Sequence, residues 1–218
     1  MSSFFEYVGQ CMPQLTLGLK LTLQMTVFSL ILAVVVGMVM CMFSISKVKP
    51  LNWISGIYLS LIRGTPLMVQ AFFIYFGITG ALHIRITPFS AAILVLCLNA
   101  GAYLSEIFRS GIAAVNKGQM EAALMSALTP AQAIRLIILP QVVKRIIPPM
   151  GNEFITLVKD TSLAQVIAVV ELLKVTNNWV SSAVSMVPFV IAAVFYLVMN
   201  GVVTRCFTIA EKRLSYYR

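Results

Sequence analysis

The chain has 218 residues, of which 60% are hydrophobic and 11% charged, and its mean hydropathy is +0.94. A soluble domain of this composition would expose too much apolar surface, so we predict an integral membrane protein with one transmembrane domain over residues 1–218. The net charge of +9 does not indicate nucleic-acid binding, because the basic residues are dispersed along the chain. Four widely spaced cysteines and a single histidine predict neither a disulfide framework nor a metal site.

Five segments are apolar over the roughly 20 residues that a helix needs to cross a bilayer. We therefore predict an all-α fold with five transmembrane helices. The fourth segment has the weakest apolar character, because it carries Glu153, Lys159 and Asp160. The predicted spans are about 15–45, 53–79, 88–109, 146–172 and 184–210.

Basic residues are concentrated beside one set of span ends, and short basic loops of membrane proteins tend to stay in the cytoplasm. This bias predicts an N-terminus outside the cell and a C-terminus inside. The predicted outer side has only Lys20, Arg85 and Lys174. The predicted cytoplasmic side has Lys47, Lys49, Arg109, Lys117, Arg135, Lys144, Arg145, Arg205, Lys212, Arg213 and Arg218.

The second predicted span is interrupted by the sequence Arg-Gly-Thr-Pro at 63–66. Glycine and proline within a span weaken or kink the helix and free backbone polar groups. We expect Arg63 to hold this break by bonding carbonyl groups or by pairing with Glu106, with substrate contact as a further alternative. Gln70 lies seven residues later on a similar face and could line the same cavity. Glu106 also stands three residues before Arg109, which favours an ion pair at the helix end.

A long loop at about 117–140 separates the third and fourth predicted spans. Residues 119–128 are rich in strong helix formers, with Glu121 expected in the first turn. Thr129 can cap a second helix that has Pro130 at its first position. The loop therefore predicts a short helix, a turn and another helix, an element that can dock into a groove of a partner.

The sequence EAALMSALTPAQAIRLIILP in this loop resembles the EAA loop of ABC-importer permease subunits. One position departs from the family pattern, since Ala127 stands where the family usually has glycine. Alanine is small and favours the helix, so we expect docking to survive and Thr129-Pro130 to make the break instead. The matching positions, which the resemblance implicates in coupling to the ATPase, are Glu121, Ala122, Ala123, Ala127, Ile137, Leu139 and Pro140.

Three further segments, at 63–73, 101–123 and 151–163, are similar to the branch of this family that imports histidine, glutamine, arginine, cystine and opines. The resemblance implies a permease in the bacterial cytoplasmic (inner) membrane that dimerises with itself or a paralogue. It also implies two cytoplasmic ABC ATPase subunits and an extracytoplasmic solute-binding protein as partners. The chain has no GxxxxGK[ST] phosphate loop, so it is not expected to be an enzyme. ATP and Mg²⁺ would be bound by the ATPase subunits, and this chain would bind no cofactor.

The charged stretch at 152–163 is the candidate substrate site. Glu153 and Asp160 lie seven residues apart, which places them on nearly the same helix face with Thr156 between them. Lys159 is rotated by about 100° from Asp160. One carboxylate could hold the α-amino group of an amino acid. The other could hold a basic side chain, or could pair with Lys159 or with the partner subunit's Arg63.

Neutral groups beside these acids complete the predicted site. Asn152, Thr161 and Ser162 add donors and acceptors, and unwinding near 159–162 would give a new helix N-terminus for the substrate carboxylate. An alternative is that Lys159 and Asp160 form a structural ion pair. We thus predict a permease subunit for a polar L-amino acid, a basic one being one possibility. The rival hypothesis is an ion-coupled secondary carrier, which inverted repeats would favour, and no such repeats are apparent in the sequence.

Overall fold

The computed structural model describes the backbone of residues 2–214, with the side chains of residues 6–182 and 184–214. Arg218, predicted on the cytoplasmic side, lies outside the described residues. All regular structure within 2–214 is helical. The α-helices are α1 (Ser2–Ile45), α2 (Lys49–Gly64), α3 (Leu67–Phe72), α4 (Thr79–Leu82), α5 (Pro88–Ala113), α6 (Lys117–Met125), α7 (Pro130–Ala133), α8 (Leu139–Asp160), α9 (Leu172–Ala183) and α10 (Val187–Leu214). Two π-helical stretches, Phe73–Ile78 and Ile134–Ile138, and one 3₁₀ segment, Thr161–Ile167, join neighbouring α-helices.

Helices α1 and α5 run parallel and in close contact. The Ser29 hydroxyl donates to the Ile93 carbonyl at 3.4 Å, 64 residues further along the chain. About two turns further along α1 and three turns further along α5, a Cβ added at Gly37 would lie 2.9 Å from the Cβ of Leu104, so both contacts advance in the same direction. Since two consecutive long helices point the same way, the chain between 46 and 87 must return to the end at which α1 began.

The returning segment is broken at the predicted position. The chain bends by 110° between α2 and the α3–α4 segment, with Thr65 and Pro66 in extended conformations at the bend. A residue before proline is pushed out of the helical region, and proline has no N–H for the helix ladder, so the chain turns there. The expected weakening is confirmed, because residues 53–79 form two helical segments that meet at this bend.

Helix α8 runs antiparallel to α5. Gly111, near the end of α5, faces Ile146, since an added Cβ would lie 2.3 Å from Ile146 Cγ2. At the other end of α8, Asp160 and Ala164 lie beside Val95 of α5. The chain from 146 therefore runs back along α5 towards its N-terminal end.

The segment predicted as one span at 146–172 is not one continuous helix. Its α-helical part ends at Asp160, and the 3₁₀ segment that follows ends at Ile167, just before Ala168, whose φ is +65°. The N–H groups of Ala168 and Val169 cap this end by donating to the carbonyls of Gln165 and Ala164, at 3.0 and 3.2 Å. An extended Glu171 then begins α9. The segment is thus divided by a residue in the left-handed conformation and by a helix cap that contacts other helices. Neither feature affects the hydropathy of the sequence.

Helix α10 returns along α8. The rings of Phe154 and Phe207 pack edge to face with centroids 5.0 Å apart, and the Tyr196 hydroxyl reaches Glu171. Three described helices are long and apolar enough to cross a membrane by themselves: Glu6–Ile45 of α1, α5 and α10. The bent pair of α2 with α3–α4 makes a fourth. Helix α8 falls outside this set, and its sequence carries five charged residues, Lys144, Arg145, Glu153, Lys159 and Asp160.

Candidate functional site

The break between α2 and α3 is held by the side chain of Gln70. Its amide nitrogen donates to the Ile62 carbonyl at 2.7 Å and to the Thr65 carbonyl at 3.0 Å. Its amide oxygen accepts from Asn99 Nδ2 of α5 at 3.4 Å. Gln70 is only 8% exposed. In this conformation Gln70 satisfies the carbonyl groups freed by the break and fastens them to α5. It also lines a mostly apolar cavity of about 430 Å³ beside the break.

Arg63, the last cationic residue before the break, lies against α5. Its Nη1 is 3.9 Å from Glu106 Oε2, and its guanidinium carbon lies 5.5 Å from the centre of the Tyr103 ring. Glu106 is held more closely by Arg109, whose Nε and Nη2 donate at 3.0 and 2.7 Å. Both predicted pairings of Glu106 are therefore confirmed. The Glu106 carboxylate of α5 contacts Arg63 at the end of α2 and Arg109 one turn further along α5.

The second half of α8 carries the predicted polar face. Asn152, Thr156 and Lys159 are exposed on the surface of the chain, while Glu153 and Asp160 are half-buried. The two acids are separated by two helical turns, about 10 Å along the axis. Among the described residues, no ion pair joins Lys159 to Asp160. Within residues 6–182 and 184–214, both carboxylates thus lack an ion pair, and the face between them is uncovered.

The hydroxyl groups near these acids are engaged with their own helix. Thr156 donates to the Asn152 carbonyl at 3.0 Å, and Ser162 donates to the Lys159 carbonyl at 2.6 Å. Thr161 donates to the Val158 carbonyl at 2.7 Å and is fully buried. Such local bonds use the hydroxyl proton and leave only the oxygen lone pairs for another group. Thr161 therefore lies behind the polar face in this conformation and is not part of it.

Glu171 is a buried acid for which no role was predicted. It is 0% exposed and begins α9, where its two oxygens accept from the N–H groups of Leu173 and Lys174, both at 2.7 Å. Tyr196 of α10 donates to the same carboxylate at 3.3 Å. A carboxylate at a helix N-terminus is favoured by the helix dipole. The helix N-terminus that follows the unwound stretch is thus occupied by the protein's own acid and is not free for a substrate carboxylate.

The only sequence signal for Glu171 was a single acid inside the apolar run VVELL. Glutamate is not among the residues preferred at the N-cap, so this signal did not predict a helix start. The neighbouring Leu172 N–H donates to Thr22 Oγ1 of α1 at 3.2 Å, 150 residues away in sequence. The cap therefore depends on tertiary contacts with α1 and α10.

The EAA-like loop forms the predicted pair of short helices. Helix α6 covers Lys117–Met125, so Glu121 lies in its second turn and not in the first as predicted. Asn116 caps the start through a 2.8 Å bond from the Gly118 N–H. Thr129 caps α7 as predicted, in a capping box with Gln132. The fold of the loop is thus set by two side-chain caps.

Helix α6 ends earlier than predicted, and Ala127 makes the break. Ala127 has φ of +57°, the left-handed region that glycine usually occupies. Its N–H and that of Leu128 bond to the carbonyls of Leu124 and Ala123, at 3.1 and 3.2 Å. This is the Schellman pattern of helix ends. The expectation that Thr129-Pro130 would make the break is wrong, because backbone bonding at the helix end forces even alanine into this conformation.

The matched loop positions divide between two faces. Glu121, Ala122, Ala127 and Leu139 are exposed, Pro140 is half-buried, and Ala123 is 3% exposed. Ala123 therefore packs α6 against the rest of the loop, and the exposed residues are available to a partner. Within the described residues, no group of three or more His, Cys, Asp or Glu side chains is placed to hold a metal ion.

Comparison with known proteins agrees with this architecture. The family described as "binding-protein-dependent transport system inner membrane component" matches residues 33–216. The L-cystine transport system permease protein TcyB of Bacillus subtilis is 36% identical over 207 residues, which cover 94% of this chain and 88% of that protein. The arginine transport system permease protein ArtQ of the same organism is 35% identical over 210 residues, with 93% of each chain covered.

A solved structure supports the same relationship. An amino acid ABC transporter, crystallised with histidines, has a chain that is 34% identical, superposes with a TM-score of 0.86 and is covered over 97% of both chains. These relatives do not favour the alternative of an ion-coupled secondary carrier. The chain therefore belongs to the inner membrane components of binding-protein-dependent transport systems, in the branch of ABC permeases for polar amino acids.

Proposed function

We propose that this chain is the membrane-spanning subunit of an ATP-driven importer of a polar L-amino acid. The observation that carries the proposal is the uncovered polar face of α8, on which Asn152, Thr156 and Lys159 are exposed beside Glu153 and Asp160. Polar groups at membrane depth normally face a protein interior or a wet cavity. A second permease subunit, identical or paralogous, would cover this face and enclose the translocation cavity.

The directions of the helices support five crossings of the bilayer. Helix α1 and the parallel α5 cross one way, and the broken α2–α4 segment crosses back between them. The chain from 146 to 172 returns along α5, and α10 crosses again antiparallel to α8. The helix ends near Lys47, Arg109, Lys144 and Lys212 then share one side, which the positive-inside rule places in the cytoplasm.

Helix α6 lies on that same side, and we assign to it the coupling to two cytoplasmic ATPase subunits. Its exposed Glu121 and Ala122 would meet a groove of the ATPase, whose subunits bind ATP and Mg²⁺. Because α6 is capped at both ends and braced through Ala123, it can transmit movement as a rigid body. The break at Thr65-Pro66 and the change of helix type at Thr161 lie beside each other, since α3 packs on the 3₁₀ segment. Such discontinuous helices are typical of transport sites near the bilayer midplane.

The substrate class is inferred from the relatives and from the unpaired acids. The relatives are named for cystine and arginine, both of which carry an α-amino group that a carboxylate can bind. With two carboxylates on one face, a basic amino acid would satisfy both, whereas a neutral one would satisfy one. A basic L-amino acid delivered by an extracytoplasmic binding protein is thus the substrate that best matches this site.

The test is a transport assay with the assembled complex. The permease, its ATPase subunits and its binding protein are reconstituted in proteoliposomes, and ATP hydrolysis is measured with each of the twenty amino acids. Stimulation by arginine, lysine or histidine above that by glutamine is the expected result. Equal stimulation by glutamine would remove the basis for a cationic substrate. Uptake that persists without ATP and collapses with an ionophore would contradict the importer itself.

A further inference from the structure

A cavity of about 610 Å³ lies at the predicted outer end of the second span, between α4 and the chain that leads to α5. One wall carries Tyr75 and Phe76, and the other carries His83 and Arg85. Arg85 is one of only three basic residues on the predicted outer side. It belongs neither to the candidate substrate site nor to the EAA-like loop, so its presence in this cavity points to a separate role.

The two walls of the cavity are joined by a residue in the left-handed conformation. His83 follows α4 with φ of +53°, and residues 83–86 then line the same cavity as residues of α4. Tyr75 on the first wall and Ile86 on the second both pack against the hydrophobic core around α5. Gly80 lies between them, and a Cβ added there would meet open space. The cavity is thus anchored by the core and unfilled in its middle.

Arg85 brings a positive charge to this cavity without an acid to neutralise it. Within the part of the chain that the structure describes, no carboxylate lies within ion-pair distance of Arg85 or lines the cavity. His83 adds a ring N–H group, and Tyr75 adds a phenolic hydroxyl group. A guanidinium group can bind phosphate through two parallel hydrogen bonds. The polar end of the cavity is therefore suited to a phosphate group.

The position of Arg85 relative to α5 gives its depth in the bilayer. It lies three residues before the apolar helix begins, at the level where lipid headgroups are expected. Phe72 lies deeper, because the preceding Ala71 shares a narrow cleft with Ala92, one turn inside α5. The rings of Phe72 and Phe76 lie 6.0 Å apart and are 40% and 58% exposed. An exposed apolar surface therefore leads from the cavity towards the bilayer centre.

We propose that this cavity binds an anionic phospholipid of the outer leaflet. The phosphate lies at Arg85, with His83 and Tyr75 as further donors, and one acyl chain follows Phe76 and Phe72 towards the bilayer centre. A zwitterionic lipid brings an ammonium group, for which the described residues of the cavity offer no carboxylate. The inference rests on the bilayer position proposed above and is independent of the amino acid carried.

The experiment locates the lipid on the transporter complex by photocrosslinking. The complex is assembled in nanodiscs of phosphatidylcholine that contain phosphatidylglycerol with a diazirine in its acyl chain, and crosslinked peptides are identified by mass spectrometry. Crosslinks to residues 72–76 are expected. Their yield should fall about fivefold in Arg85→Gln, as expected for the loss of one cation near the lipid surface. Gly80→Leu, which fills the cavity without changing its charge, should also lower the yield. Arg85→Lys should keep more of the yield than Arg85→Gln, and it serves if the glutamine variant does not fold.

Two matched controls lie outside the cavity. Lys20→Gln removes an exposed cation on the same predicted side, and Gly9→Leu enlarges an exposed glycine of α1. Both variants should crosslink as the wild type does. Equal loss in Lys20→Gln, or equal labelling of residues 72–76 by a phosphatidylcholine probe with the same diazirine, would overturn the proposal. Loss of the crosslinks on addition of inorganic phosphate would also overturn it, because the ligand would then be a free anion.

The crosslinking readout requires no transport. A failed uptake assay would therefore count against the importer and leave the lipid result unaffected. Absence of the crosslinks in a complex that transports would count against the lipid site alone.

Discussion

Arg63 of α2 faces Glu106 of α5, with 3.9 Å between Nη1 and Oε2, directly before the break at Thr65-Pro66. The contact joins the end of α2, at a bend of 110°, to α5, which packs parallel to α1. Arg63 is therefore placed to hold the break in one orientation. This geometry supports a role for Arg63 in positioning the second span.

We expect Arg63→Gln to lower transport strongly while changing stability little. The two side chains are 43% and 25% exposed, and such half-exposed pairs are worth about 1 kcal/mol or less. The measurement is a double-mutant cycle of Arg63→Gln with Glu106→Gln, read by thermal unfolding and by uptake. Coupling in uptake but not in unfolding is expected. Additive effects on uptake would show that the two residues do not act together.

Glu121→Lys should uncouple the permease from its ATPase. Glu121 is exposed in the middle of α6, and reversing its charge at a docking surface should weaken ATPase binding about tenfold or more. Co-purification of the ATPase and uptake are the measurements. Glu211→Lys, an exposed acid on α10, is the control and should bind the ATPase normally. Undiminished assembly of the Glu121 variant would argue against the coupling assignment.

Asp160→Asn and Glu153→Gln should show which acid binds the α-amino group of the substrate and which binds a basic side chain. A hydrogen bond to a charged group contributes about 1.5–3 kcal/mol, so loss of the contact with the α-amino group should weaken every substrate about tenfold or more. Loss of the contact with the side chain should weaken only basic substrates. Thermal-shift titration with arginine and glutamine distinguishes the two patterns. Unchanged binding together with lower stability would assign both acids to the fold.

Ala127→Gly should stabilise the end of α6 by about 1 kcal/mol, because a residue with a Cβ is strained in the left-handed region. Ala122→Gly is the matched control, since Ala122 is also exposed but lies within the helix, where glycine costs about 1 kcal/mol. Amide hydrogen exchange of residues 117–128 reports both changes. Protection that falls in both variants would mean that the strain at Ala127 is relieved elsewhere.

Glu171→Ala should lower the free energy of unfolding by about 2–3 kcal/mol, because it removes the cap of α9 and leaves buried donors unpaired. Glu171→Gln should cost less, since its amide oxygen still accepts one N–H group. Thermal unfolding in detergent measures both, with Glu211→Gln as an exposed control. A wild-type melting temperature for the alanine variant would show that water replaces the carboxylate.

Local sequence patterns correctly predicted the features that depend on interactions between residues close together in the chain. Thr129-Pro130 started a helix, Gly64-Thr65-Pro66 broke one, and Glu106 paired with Arg109 as its spacing indicates. These features depend on residues within one turn of each other, so a linear reading captures them.

The features that the sequence did not predict depend on distant parts of the chain. Glu171 became a cap because Tyr196 and Thr22 complete its surroundings from α10 and α1. Gln70 was expected to line a cavity, but its spacing did not indicate that its amide group would bond Asn99 and the freed carbonyls. The end of α6 at Ala127 depends on backbone bonds that its side chain does not reveal. Composition and spacing carry no information on such partners.

The parallel pairing of α1 and α5 also fixes an order of events during synthesis. Ser29 and Thr22 of α1 are fully buried in the finished chain, but their partners follow 64 and 150 residues later. The Ser29 hydroxyl therefore gains its partner only when α5 has been inserted, and the Thr22 hydroxyl only when the start of α9 has been made. Contacts at such sequence separation form late. Ribosome stalling before α5 would leave α1 exposed to lipid on the side that later becomes its core, where quality-control proteases could recognise it.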